Sequence, residues 1–148
     1  MNITEFVEKY KGKPVDFDGH FGAQCVDLVR LYWECVANVP QPEGTGDRGA
    51  VVFFTEHYSR TMQSRYFERV TYRDGLVPPP GAVVVFGPVE TNRYGHVGIC
   101  VDANAGGIEL FEQDGIANAK AIKEGRAQNG AYIGRWNYSR VLGWLVVR

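Results

Sequence analysis

Pro78-Pro79-Pro80-Gly81-Ala82-Val83-Val84-Val85-Phe86 divides the chain into two regimes. The prolines and glycine cannot carry a helix forward, and the β-branched run behind them suits a strand. Upstream, apolar residues recur at helical spacing. Ile3, Phe6, Val7 and Tyr10 predict a short N-terminal helix, with Asn2 and Glu5 placed as a capping box. Lys11 to Ala23 reads as loop, with three glycines and a proline. From Gln24 to about Asn38, the residues Cys25, Leu28, Val29, Tyr32 and Val36 share one face, which predicts the principal helix. Pro40 to Gly49 is a second loop, Ala50 to about Tyr58 a short helix, and Tyr66 to Tyr72 a strand. Downstream of Gly81 the runs Ala82–Phe86, His96–Asp102, Ile108–Gln113, Tyr132–Trp136 and Val141–Val147 read as strands. Turn residues separate them at Gly87-Pro88, Asn92 to Gly95, Asn104 to Gly107 and Asp114-Gly115. Helices first and an antiparallel sheet afterwards is an α+β arrangement. There is no internal repeat or low-complexity tract, and residues 1–148 are expected to form one domain.

Composition narrows the function. Apolar residues make up 45% and charged residues 22%, as in ordinary soluble globular proteins. A net charge of −1 argues against a nucleic-acid partner, which would need clustered Lys and Arg. No apolar stretch is long enough for membrane insertion. The N-terminus Met-Asn-Ile-Thr-Glu-Phe-Val-Glu is acidic and has no signal-peptide pattern, so another route is expected if the protein works outside the cytoplasm. Three cysteines at irregular spacing are neither a disulfide framework nor a zinc knuckle. Cys35 and Cys100 lie in apolar settings and read as small core hydrophobes. The side chains of His20 and His57 read as structural.

Cys25 differs, because polar residues flank it and a glycine-containing loop precedes it. It opens the first turn of the principal helix, where free N–H groups and the helix dipole favour a thiolate. His96 begins a strand after Tyr94-Gly95, and Glu112 closes another. A thiol, an imidazole to activate it and a carboxylate to orient the imidazole are the parts of a cysteine hydrolase. Gln24 is a candidate oxyanion donor together with the Cys25 backbone N–H. Asp114, two residues beyond Glu112, is a candidate second orienting group if the strand continues. Tyr94, Trp136 and Tyr138 are candidates to line a groove, and equally to pack in the core. Spacing alone leaves a structural histidine and an ordinary strand-end carboxylate as the competing reading.

The loop before the thiol has its own pattern. Counting Asp16 as position 1, Asp18 is 3, His20 is 5, Gly22 is 7 and Asp27 is 12. Alternating oxygen donors closed by a carboxylate parallel a calcium loop. Phe21 stands at position 6, where such loops carry glycine, and Asp27 is shorter than the usual glutamate. A solvated acidic turn is the alternative.

The words around these residues resemble one family. Gln24-Cys25-Val26-Asp27, Gly95-His96-Val97-Gly98-Ile99, Phe111-Glu112-Gln113-Asp114, Pro80 to Phe86 and Leu142-Gly143-Trp144 are similar to the CHAP family, the cysteine, histidine-dependent amidohydrolases/peptidases. The resemblance covers nearly the whole chain, and its three catalytic words occur in the family's order. It implies a small papain-like α+β fold, with N-terminal helices packed on an antiparallel sheet or half-barrel. It implies Cys25 as nucleophile, His96 as base and Glu112 as orienting carboxylate. Relatives often have Asn at the position of Asp114, and an ionised Asp can accept but not donate a hydrogen bond. The implied substrate is peptidoglycan, cut as an N-acetylmuramoyl-L-alanine amidase or as a stem or cross-bridge endopeptidase. A subset of phage endolysin domains is similar through residues 16–27. That likeness implies Ca2+ held by Asp16, Asp18 and Asp27 and by backbone carbonyls at His20 and Gly22. The expected setting is the bacterial cell wall, reached by a monomer made in a host cytoplasm and released, or by one domain of a longer chain with a wall-binding partner domain. The alternatives are a non-catalytic, calcium-stabilised wall-binding module and a papain-like amidase acting on a non-wall peptide.

Overall fold

The antiparallel sheet is six strands wide: β1 (Phe67–Thr71), β2 (Val83–Phe86), β3 (His96–Asn104), β4 (Gly107–Glu112), β5 (Tyr132–Trp136) and β6 (Val141–Val147). A computed structural model describes residues Met1–Arg148. The strand order is β1-β6-β2-β3-β4-β5, and every neighbouring pair is antiparallel. Register irregularities at Val85/Phe86 and at Cys100/Asp102 bend β2 and β3, as bulges do in curved sheets.

Both faces of the central strands are covered, which explains the unbroken apolar run at Val83–Phe86. On one face Val83, Val85, Val97, Ile99, Phe111 and Leu145 pack with Phe6, Leu28, Val29, Trp33 and Phe53 from the helical half. On the other, Ala82, Val84, Phe86, Cys100, Leu110 and Trp144 form a second cluster. The alternation follows from the period of two along a strand.

The helices are α1 (Ile3–Tyr10), α2 (Cys25–Tyr32), α3 (Val52–Thr55), α4 (Thr61–Tyr66) and α5 (Gly115–Lys123). Asn2 caps α1 by accepting from Glu5 N at 2.9 Å. α2 lies on β3 through fully buried Leu28 and Val29, each stabilising the fold by about 1.5–3 kcal/mol on burial. The Tyr32 hydroxyl donates to Gly81 O at 3.0 Å, tying the end of α2 to the turn that launches β2.

The expected helix from Gln24 to Asn38 is corrected in its second half. The last turn, Trp33–Ala37, widens to π geometry and stops at Asn38 in the left-handed region, φ 53°. Trp33 at the junction is buried between Phe53 and Phe67. The helix expected over Ala50–Tyr58 is two short turns, α3 and a 3-10 turn at His57–Ser59. α4 and α5 had no counterpart in the sequence reading. The three cysteines are unpaired, and burial raises the Cys100 thiol to about 11. No helix is long and apolar enough to cross a membrane.

Candidate active site

Cys25 is the first residue of α2, and its N–H donates to no backbone carbonyl. The helix start is held from both directions: Gln24 N donates to Asp27 Oδ2 at 3.0 Å, and Asp27 N donates to Gln24 O at 3.1 Å. His96 arrives from a tight turn. Gly95 has φ +70°, and a Cβ there would press on Phe86 O and Val51, so the turn that delivers the imidazole needs glycine.

His96 Nε2 lies 2.6 Å from Glu112 Oε1, and His96 and Cys25 line the same cavity. Glu112 ends β4 and is 1% exposed. Burial disfavours the charged ring, but hydrogen bonds and charge from Cys25 and Glu112 outweigh it and raise His96 to about 10. The protonated form of the ring is therefore the favoured one at neutral pH.

These groups open on a cavity of about 980 Å³, lined among others by Gln24, Cys25, Tyr94, Glu112, Tyr132 and Trp136. Tyr94 and Trp136 thus stand where groove residues were expected. Tyr138 does not: it stacks on Tyr72 at 5.0 Å and donates to Asn104 O, in the aromatic group beside Trp144.

A family model described as the CHAP domain matches residues 14–114, a span that contains all three of these side chains. The chain belongs to the CHAP family. Its fold is also similar to that in the crystal structure of a wild type endolysin, LysIME-EF1, with a TM-score of 0.60 and 20% identity. That likeness covers 99% of this chain and 64% of the endolysin chain. No curated protein matches the chain closely enough to stand as a relative.

In this CHAP chain the acidic loop folds back on α2. One carboxylate oxygen from each of Asp16, Asp18 and Asp27 lies within 4.8 Å of the others. Asp16 Oδ1 accepts from Gly19 N and Asp18 Oδ1 from His20 N, at 3.0 and 2.8 Å. Phe21, at the position where a calcium loop uses glycine, has the left-handed φ of +65° that glycine would supply. His20 is exposed and Gly22 is buried in the same loop. Asp27 is 1% exposed. Burial, with help from the charges of Asp18 and Asp16, raises its carboxyl to about 7, against the pull of Gln24 N–H and Arg30.

Asp114 takes a different part from the one expected. β4 stops at Glu112, so the two carboxylates do not share an extended face. Asp114 N-caps α5, its Oδ1 accepting from Ala117 N at 3.0 Å. Gln24 lines the cavity beside Cys25.

Three residues of the CHAP site were missed. Gln113 is fully buried: its Oε1 accepts from Val15 N at 2.7 Å, and its Nε2 donates to Val15 O and Gln24 O at 3.0 and 2.8 Å. It therefore staples both ends of the Asp16–Ala23 loop to the strand end that carries Glu112. Ala23 is gripped twice more, its O by Asn118 Nδ2 and its N by Gln128 Oε1, both at 2.7 Å. A glutamine directly following Glu112 was the one available signal. Gln113→Ala would leave two backbone groups, Val15 N and Val15 O, without partners, at about 1–3 kcal/mol each, and would remove one of the two donors to Gln24 O. With each kcal/mol worth roughly 2–4 °C at this size, the melting temperature by circular dichroism is expected to fall by about 10 °C. A shift under about 2 °C would disprove the staple.

Proposed function

We propose that this CHAP chain is a peptidoglycan hydrolase of the endolysin kind, cutting an amide bond of the bacterial cell wall with Cys25 as nucleophile. The bond is either the N-acetylmuramoyl-L-alanine amide or one within the stem peptide or cross-bridge. The observation that carries the reading is the His96 ring, held by Glu112 at 2.6 Å and lining one open cavity together with Cys25.

The chemistry follows from those positions. The thiolate adds to the amide carbon, and the carbonyl electron pair moves onto oxygen. That oxyanion accepts from Cys25 N–H and from the Gln24 side-chain amide. Collapse breaks the C–N bond, and the departing amine takes its proton from His96. Water then attacks the thioester, giving one proton to the now neutral His96. Release of the carboxylic product restores the thiolate–imidazolium pair. Glu112 keeps the ring oriented throughout, as an acceptor fixed at 2.6 Å.

We further propose that Asp16, Asp18 and Asp27 hold Ca2+, with backbone carbonyls of His20 and Gly22 completing the protein ligands. The donor set fits: three clustered carboxylates are hard oxygen donors, and a buried Asp27 ionises readily only beside added positive charge. When bound, the ion supplies that charge and ties the loop to the first turn of α2. Acting on the wall, the protein needs no membrane-inserted segment.

Digestion of purified walls in calcium buffer, read by mass spectrometry, tests the reading. New amines with matching carboxyl termini are expected, and their masses separate amidase from endopeptidase. If walls bind the protein but gain no new termini, the chain is a binding module. Cleavage confined to non-wall peptides would make it a general papain-like amidase.

A further inference from the structure

β5 presents Tyr132, Gly134 and Trp136 on one face, alternating with Ile133 and Arg135. Glu112 is the cross-strand partner of Tyr132, which places Gly134 diagonally beside it. The missing side chain at Gly134 is occupied space: a Cβ there would collide with Glu112 Oε2. Trp136 reaches into the same gap, its Nε1 donating to Glu112 Oε2 at 2.7 Å. The indole also lies over the His96 ring, 5.4 Å between centroids with 29° between planes, and rests against Phe86.

We propose that Trp136 is a positioning residue for the cysteine–histidine pair, acting through Glu112, and that Gly134 is the gap that allows it. The two Glu112 oxygens are divided between two donors. Oε1 faces His96 and Oε2 is held by the indole. A carboxylate that is 1% exposed has little water to satisfy its second oxygen. Without the indole donor that oxygen competes for the same imidazole, and the carboxylate can rotate away from its productive orientation. Stacking of the indole on His96 limits the remaining ring rotation. The inference rests on the cysteine-hydrolase reading of the site but not on the identity of the wall bond.

The test reads Cys25 itself, with no wall present. In calcium buffer at fixed neutral pH, the rate of Cys25 alkylation by iodoacetamide is followed by peptide mass spectrometry, which separates it from Cys35 and Cys100. Trp136→Phe keeps a ring over His96 but loses the donor, and alkylation is expected to slow by about tenfold, the scale of a lost hydrogen bond to a charged group. Glu112→Ala is expected to slow it at least as much. The double variant should match Glu112→Ala within about twofold, because the indole then has nothing to hold. Gly134→Ala should slow alkylation like Trp136→Phe, and that added defect should vanish in the Glu112→Ala background, where the new methyl has room. Melting temperatures of all variants show whether each is folded. An unchanged rate in folded Trp136→Phe, or effects that multiply in the double variant, would overturn the proposal. Should the wild type cleave no wall, the alkylation pattern still decides the role of Trp136.

Discussion

Cys25→Ala and His96→Ala are each expected to slow the release of wall fragments by about a thousandfold or more, the scale seen when a nucleophile or its base is removed. Removing either leaves the other without a partner, so the double variant should be no worse than the singles. Glu112→Ala keeps both reacting groups and should cost less, about tenfold to a hundredfold, through loss of orientation and of imidazolium stabilisation. The pH dependence has a defined sign. His96 is raised to about 10, so the protonated ring is present below that value and is lost as pH rises through it. Activity is therefore expected to fall on the alkaline side near pH 10. In Glu112→Ala, which lacks one of the two groups that raise the ring, that limb should move to lower pH. Turnover measured across pH 6 to 11 checks both statements. Wild-type rates in Cys25→Ala would remove the thiol mechanism altogether.

Chelation is expected to abolish or sharply reduce activity, and added calcium to restore it. The physical basis is the buried Asp27 carboxyl in the first turn of α2. Below the ordinary value of 3.8 the Asp27 carboxyl is protonated in both folded and unfolded chains. Between 3.8 and about 7 the unfolded chain has lost that proton while the metal-free fold still holds it. Metal-free stability contributed by Asp27 therefore declines as pH rises through this window. A cation needs the ionised form, so its binding should tighten with rising pH and release a proton. At a hundredfold excess over the dissociation constant it adds about 2.7 kcal/mol. That corresponds to roughly 5–10 °C in melting temperature, with a larger increment at pH 8 than at pH 5. Asp27→Asn should fold without metal yet lose the calcium response. Full activity of rigorously metal-free protein would exclude the role.

How much of this was legible depended on whether a residue's task leaves a periodic trace. β5 and β6 were readable to the residue, and the run at Val83–Phe86 announced itself because both its faces are buried. α5 was invisible, since the positions it buries are Asn118 and Ala121, a polar and a small residue that write no apolar stripe. Asp114 was misplaced for a related reason: extrapolating alternation past Glu112 assumes the strand goes on, whereas a helix cap ends it. Cys25, His96 and Glu112 stood out through the sequence words around them, since their spacing alone left a structural histidine and a strand-end carboxylate as the competing reading. Gln113 and Trp136 did not, since an amide or an indole gains meaning only from what it touches. Phe21 shows the limit of spacing rules, because a phenylalanine occupies the backbone conformation that the pattern reserves for glycine.

The staple on the nucleophile loop also has a consequence in time. Gln113 reaches Val15 across 98 residues and Gln24 across 89, while Asn118 and Gln128 reach Ala23 across 95 and 105. A ribosome delivers Cys25 before His96 and before the clamps that shape its loop. The loop before the thiol acquires its clamps only when Gln113, Asn118 and Gln128 have emerged and folded back. The order of synthesis thus keeps Cys25 in an unclamped loop until that downstream segment has been made.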